Sequence, residues 1–231
     1  MSKLGLLAFV AFIVAAVLLE FMLDQCTGGM CEVVNAAGWP IRPLIYASVV
    51  ALAIIVERLW ALRSEIVAPS GLLAEVNRMV AQGGITREAC TKLAQHTLLV
   101  EILDAALQNA NNSREVIKEA VEESARVVVH KLERYMTTLG TIATVSPLLG
   151  LLGTVIGMVE LFGAFTSTGH DVAQFARGIS VALYNTAGGI VVAVPAMIFH
   201  RFFRGKIDSF IVDMEQQAIK LVEIIHGERQ S

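Results

Sequence analysis

Hydroxyl and amide side chains stand in this chain where they are costly, inside stretches that lack any Asp, Glu, Lys or Arg. The first stretch runs for 25 residues from Tyr135 to Val159 and carries Thr141, Thr144 and Thr154. The second runs for 23 residues from Gly178 to His200 and carries Ser180, Asn185 and Thr186. Thr137, Thr141 and Thr144 share one helical face, which Leu148, Leu151 and Thr154 continue. A hydroxyl in hydrocarbon needs an acceptor. It finds one in its own backbone carbonyl three or four residues back, or in a polar-lined lumen. The first arrangement makes only a helix; the second makes a route for protons. Neither stretch holds Asp, Glu, Lys, Arg or His at mid-depth, and proton relays through membranes rest on such groups. Proton conduction by this chain therefore requires a carboxylate from a second chain. Glu160 and Asp171 fall near the outer ends, where Glu160 is expected to face an external vestibule.

These side chains need long apolar elements to carry them. Hydrophobic residues make up 55% of the 231 and charged residues 17%, against about 25% in soluble domains. Disorder, a collagen-like repeat and a disulfide scaffold are excluded by the aliphatic excess, 18 Gly, 5 Pro and 3 Cys. A net charge of −3 without a basic run speaks against nucleic acid. Each charge-free stretch exceeds the roughly 20 residues that cross a bilayer, and a backbone in lipid must satisfy itself as helix. Two shorter candidates precede them. Pro43–Val56 is uncharged and extends to a span over 42–63, with Arg42, Glu57 and Arg58 snorkelling. Leu4–Leu23 follows Lys3 as a signal anchor or an extra transmembrane helix over 1–23, without a clear small-residue cleavage site.

Eight basic residues (Lys3, Arg58, Arg63, Lys131, Arg134, Arg201, Arg204 and Lys206) flank membrane ends on one face, against Arg42 and Arg177 on the other. The positive-inside rule puts the first set in the cytoplasm. The expected order is an outer loop over 24–41, a span over 42–63 and a cytoplasmic helical region over 64–134. A span over 135–165, an outer loop over 166–176, a span over 177–203 and a cytoplasmic C-terminal helix over 204–231 follow.

Cys26 and Cys31 lie in the first outer loop, as a possible small disulfide or two free thiols, and Cys90 is expected as a packed thiol. The pair makes a weak metal site without further ligands. The five histidines form no ligand cluster, and no phosphate loop or nucleophile motif occurs, so neither an enzyme nor a cofactor is expected. In the cytoplasmic region Gly83-Gly84 and Asn109–Ser113 are breaks, with Thr86 and Ser113 as N-caps. Val116, Val121, Ala125, Val128 and Leu132 form a stripe on a helix expected to run unbroken into the 135–165 span. Ile207, Ile211, Met214, Ala218, Leu221 and Ile225 repeat that pattern in the tail. Inside the membrane, small residues let helices approach. Gly140, Gly150, Gly153 and Gly157 occupy one span; Ala182, Gly188, Gly189, Ala193 and Ala196 occupy the other, where Pro195 lies near the inner end.

Pro147-Leu-Leu-Gly-Leu-Leu-Gly-Thr-Val-Ile-Gly-Met158 resembles the second transmembrane helix of the MotA/TolQ/ExbB proton-channel family. Gly178-Ile-Ser-Val-Ala-Leu-Tyr-Asn-Thr-Ala-Gly-Gly-Ile-Val-Val-Ala-Val-Pro-Ala196 resembles its third, and Glu57-Arg-Leu-Trp-Ala-Leu-Arg63 looks most like ExbB. The resemblance covers about Gly38 to His226. It implies an all-α integral membrane protein with three spans of the family type plus the extra N-terminal one, and long helices reaching into the cytoplasm. It implies a homopentameric ring in the bacterial inner membrane, with two single-span ExbD-like helices in the pore. Each of these carries the aspartate through which protons pass, and their motion drives a TonB-like transducer acting on outer-membrane receptors. The loops 24–41 and 166–176 would be periplasmic. The family's pore threonines match Thr154 and Thr186. Two departures stand out: a glutamate frequent in ExbB third helices is replaced by Val181, and there are four spans rather than three. TolQ-like or MotA-like motors, a self-sufficient channel and a non-conducting membrane scaffold are the competing readings.

Overall fold

A computed structural model describes residues 29–63, 67, 98–109, 112–163 and 172–225. The expected N-terminal span, Cys26, Cys90, Thr86 and the Gly83-Gly84 break lie outside these residues. The described elements are helical: α1 (Gly29–Ala37), a 3-10 turn (Trp39–Ile41), α2 (Arg42–Ala61), α3 (Leu98–Gln108), α4 (Arg114–Leu132), α5 (Met136–Gly163) and α6 (Val172–Ile225). Three segments are long and apolar enough to cross a membrane: Trp39–Ala61, Met136–Gly163 and Val172–Lys220. Helices α5 and α6 continue through Pro147 and Pro195. The chain divides into two compact units, Met1–Leu52 with Gly140–Met197, and Ala53–Leu139 with Ile198–Ser231.

In the first unit, the segment read from sequence as a loop contains α1 and the 3-10 turn. Glu32 sits in the first turn of α1, where the helix dipole favours a carboxylate. The chain then reverses at Gly38, whose φ of 73° is costly for a residue with a Cβ. The turn seats Ala37, Ile41 and Leu44 in a small core with Val34, Ile45 and Leu149. The cysteine of α1, Cys31, belongs to this helix rather than to a loop.

In the second unit, α4 begins after Ser113, which has extended dihedrals of φ −64° and ψ 156°. Its hydroxyl makes no capping bond; its carbonyl accepts from the Ile117 amide at 3.1 Å. The buried stripe is Ile117, Val121, Ala125, Val128 and Leu132. Val116, expected at its head, is exposed, because a spacing of four carries the stripe back to Ile117. Helix α3 buries Leu99, Val100, Ile102, Leu103 and Ala106. It is tied to α4 by Ser124 Oγ donating to the Glu101 carbonyl at 3.0 Å and by Lys131 Nζ on Glu101 at 2.7 Å. On α6 the buried positions are Phe203, Ile207, Phe210, Met214 and Ala218.

The structure corrects the expectation of one helix running from 114 into the membrane span. Helix α4 ends at Leu132 and α5 begins at Met136. Between them Tyr135 has φ 63°, a left-handed conformation that a bulky residue rarely adopts. The break is held from α2. Arg58 is buried and donates Nη1 to the Leu132 carbonyl at 3.1 Å, satisfying one of the acceptors that a helix C-terminus leaves open. The same guanidinium takes Glu57 through two bonds, of 2.6 and 2.9 Å, and lies 5.6 Å from the centroid of the Tyr135 ring. Arg134 lies 4.7 Å from that centroid.

Candidate functional site

The site is the stretch of α5 and α6 in the first unit that carries the hydroxyls. Its frame is a seam of glycines. A Cβ placed on Gly150 would meet the Asn185 carbonyl at 2.9 Å and the Cα atoms of Thr186 and Gly189 at 3.3 Å. One on Gly157 would meet the Gly178 carbonyl at 2.6 Å and the Ala182 amide nitrogen at 2.7 Å. One on Gly189 would meet the Ser146 carbonyl at 2.8 Å. Backbone atoms cannot step aside, so α5 and α6 approach as closely as two helices do where dispersion replaces the hydrophobic effect. Gly178 was absent from the packing set expected from sequence; a Cβ there would meet the Gly157 carbonyl and the Leu161 Cβ at 2.8 Å. Gly188 stands apart from this seam. It looks toward Ile41 and Leu44 at 3.6 and 3.7 Å, where a Cβ has ordinary room.

The hydroxyls satisfy themselves locally. Thr154 donates to the Leu151 carbonyl at 2.7 Å and Thr186 to the Ala182 carbonyl at 3.1 Å. Thr144 shares its proton between the Gly140 and Thr141 carbonyls, at 3.1 and 3.0 Å, and Ser180 donates to Ala176 at 3.0 Å. A hydroxyl bonded in this way still has acceptor lone pairs to present outward. On α5, Thr141, Thr144, Leu148 and Leu151 are exposed in the single chain, and Thr154 is partly so. Thr186 has its Cα 3.3 Å from where a Gly150 Cβ would stand, and Gly150 is one turn from Thr154 along α5.

Asn185 differs from the expectation of a lumen-facing residue. It is fully buried within the chain. Its Nδ2 donates to the Ala37 carbonyl at 2.8 Å and to the Val181 carbonyl at 2.7 Å. Both partners are acceptors, which fixes the nitrogen at that position of the amide. Its Oδ1 has no hydrogen-bond partner among the described residues, and its Cγ lies 2.6 Å from where a Gly153 Cβ would stand. Its side chain lies in the interior of the helix pair, in the space that Gly153 leaves without a Cβ. Ser146, not singled out from sequence, is also buried, with its Oγ unpartnered. Its sole sequence signal is a polar residue in a charge-free span, which it shares with the outward-facing threonines.

At the end of the pair, Glu160, Gly163, Ala173, Gln174 and Arg177 line a cleft of about 610 Å³. Among the described residues no group of His, Cys, Asp or Glu is placed to hold a metal ion. From Gly140 to Val159 α5 carries no Asp, Glu, Lys, Arg or His, and α6 carries none from Gly178 to Met197.

Residues 94–216 match the MotA/TolQ/ExbB proton channel family. An ExbB homologue of Methanothermobacter thermautotrophicus is 34% identical over 174 residues, 74% of this chain and 60% of the relative. An ExbB-like protein of Synechocystis is 31% identical over 174 residues, 73% of this chain and 82% of the relative. The biopolymer transport protein ExbB of Pseudomonas putida is 33% identical over 136 residues, 55% of this chain and 41% of the relative. The matched region thus spans less than two thirds of the archaeal and Pseudomonas relatives. A match over more than half of the chain, on helices long and apolar enough to cross a membrane, places it in a definite group: the chain belongs to the MotA/TolQ/ExbB proton channel family, as an ExbB-like multi-pass membrane protein.

Proposed function

We propose that this chain is the channel-forming subunit of an ExbB-type, proton-driven motor in the bacterial inner membrane. Copies assemble as a ring, five by the family pattern, around a single-span ExbD-like partner that brings the transmembrane aspartate. The motor hands its work to a TonB-like transducer for transport across the outer membrane. The observation that carries this reading is the division of α5 into two faces. One is sealed against α6 by glycines; the other shows Thr144, Leu148, Leu151 and Thr154 to the outside of the single chain. Only 28% of each candidate span is buried within the chain, which leaves large apolar surface for lipid and neighbouring copies. The absence of Asp, Glu, Lys, Arg and His along the glycine seam supports a division of labour in which the acid belongs to the partner. Thr154 and Thr186 are the proposed pore residues, with Thr141, Thr144 and Ser180 extending the polar lining.

Replacing Thr154 and Thr186 together by Val tests this. Valine keeps the volume and removes the acceptor lone pairs. Proton-coupled work should be lost while the ring still forms. Unchanged work would refute a polar lumen, and would favour a scaffold whose hydroxyls serve only their own helices.

A further inference from the structure

We infer that Asn185 is a positioning residue, a clamp that sets the height and rotation of α5 on α6 so that Thr154 faces outward beside Thr186; this rests on the lumen reading above. Three observations converge on it. The amide nitrogen makes two bonds: one across to Ala37, the last residue of α1, and one to Val181 in its own helix. The Ala37 carbonyl is one that the helix end leaves without an internal partner, so the bond ties α1 to α6 while removing an orphan acceptor. The rest of the side chain fills the notch at Gly153, with Cβ and Cγ closer than a methyl there would allow. The Oδ1, which has no hydrogen-bond donor among the described residues, lies 3.1 Å from the position of a Gly153 Cβ, so the whole amide sits against that glycine.

The notch is narrow along the helix. Gly150 and Gly157, on either side, are taken by the Asn185 carbonyl and by the Ala182 backbone. Sliding α5 by one residue would bring Leu152 or Thr154 against Asn185, where no space exists. Thr154 is the neighbour of Gly153, and Thr186 is the neighbour of Asn185. One buried amide therefore fixes the relation of the two hydroxyls without touching either lumen or partner. An apolar residue of this size would fill the notch, yet it would leave the Ala37 carbonyl unpaired.

The test uses the full chain in membranes with its partner, with Cys26, Cys31 and Cys90 replaced by Ser and Thr154 by Cys. A hydrophilic methanethiosulfonate reagent reads the exposure of position 154. Asn185→Ala vacates the notch, so α5 turns Thr154→Cys into the seam and labelling slows about tenfold, the equivalent of ~1.4 kcal/mol. The same rate in an intact ring would overturn the clamp. If Asn185→Ala prevents assembly, Gly153→Ala takes its place: its methyl would overlap the Asn185 side chain, expel it from the notch and shift the labelling rate of position 154. An unchanged rate in an assembled Gly153→Ala ring would overturn the clamp as well. No labelling even with Asn185 in place would refute the lumen itself, an outcome distinct from equal labelling.

Discussion

Gly157→Ala, set against Gly205→Ala, measures the closeness of the α5–α6 seam. Both substitutions replace glycine inside a helix, and each gains about 1 kcal/mol of helix propensity. At Gly205 nothing lies within 4 Å of the new methyl, so that gain stands alone. At Gly157 the methyl lands 2.6 Å from the Gly178 carbonyl oxygen and 2.7 Å from the Ala182 nitrogen, against 3.4 Å or more for ordinary contact. The neighbours are backbone, so two helices must part by several tenths of an ångström along a glycine-lined seam. Overpacking of this kind costs about 1–3 kcal/mol. The propensity gain is common to both variants, and the difference between them should equal the overpacking cost. Thermal unfolding of the two proteins in mild detergent reads that difference: Gly205→Ala should unfold above the parent, Gly157→Ala well below Gly205→Ala. A Gly157→Ala protein as stable as Gly205→Ala would show that the helices do not approach in this way.

Arg58→Met should destabilise by about 1–3 kcal/mol, since it leaves the Leu132 carbonyl unpaired and frees the left-handed Tyr135. Arg58→Lys should fall between, having lost the two-pronged hold on Glu57, and parent-like unfolding of Arg58→Met would refute the role. Lys131→Ala breaks an ion pair that is largely open to solvent and should cost less than about 1 kcal/mol by the same measurement; a larger loss would mean that the Glu101 pair is sheltered. In vesicles, proton flux should require the carboxylate-bearing partner together with this chain, and robust flux from the chain alone would refute the division of labour.

The two long spans were legible because charge is costly in hydrocarbon, and 25 and 23 residues without it leave few alternatives. Small residues are what membrane helices pack with, yet which glycines face the partner helix was not written in composition: Gly178 lies on the seam and Gly188 looks away from it. The break at Tyr135 was hidden. No glycine or proline marks it, and one of its anchors is a guanidinium 74 residues before Leu132. The slip from Val116 to Ile117 is one residue in a pattern whose spacing alternates between three and four, and both residues are apolar. Helix α1 was read as loop because its nine residues were too few to show a period. Asn185 was misassigned because polarity does not reveal facing. An amide in an apolar helix suits a wet lumen or a buried clamp equally, and the choice was made by a glycine on another helix, Gly153.

The glycine seam has a consequence for gene dosage. Two helices in backbone contact leave no thickness for a water file between α5 and α6, so in the ring proposed above the route for protons lies on the outward face of the pair, toward the partner and neighbouring copies. Activity is then a collective property. A cell that makes a mixture of working and disabled chains should lose transport more steeply than the fraction of disabled chains, because each bad copy spoils good neighbours. An inert variant of this protein would act as a poison to its own kind.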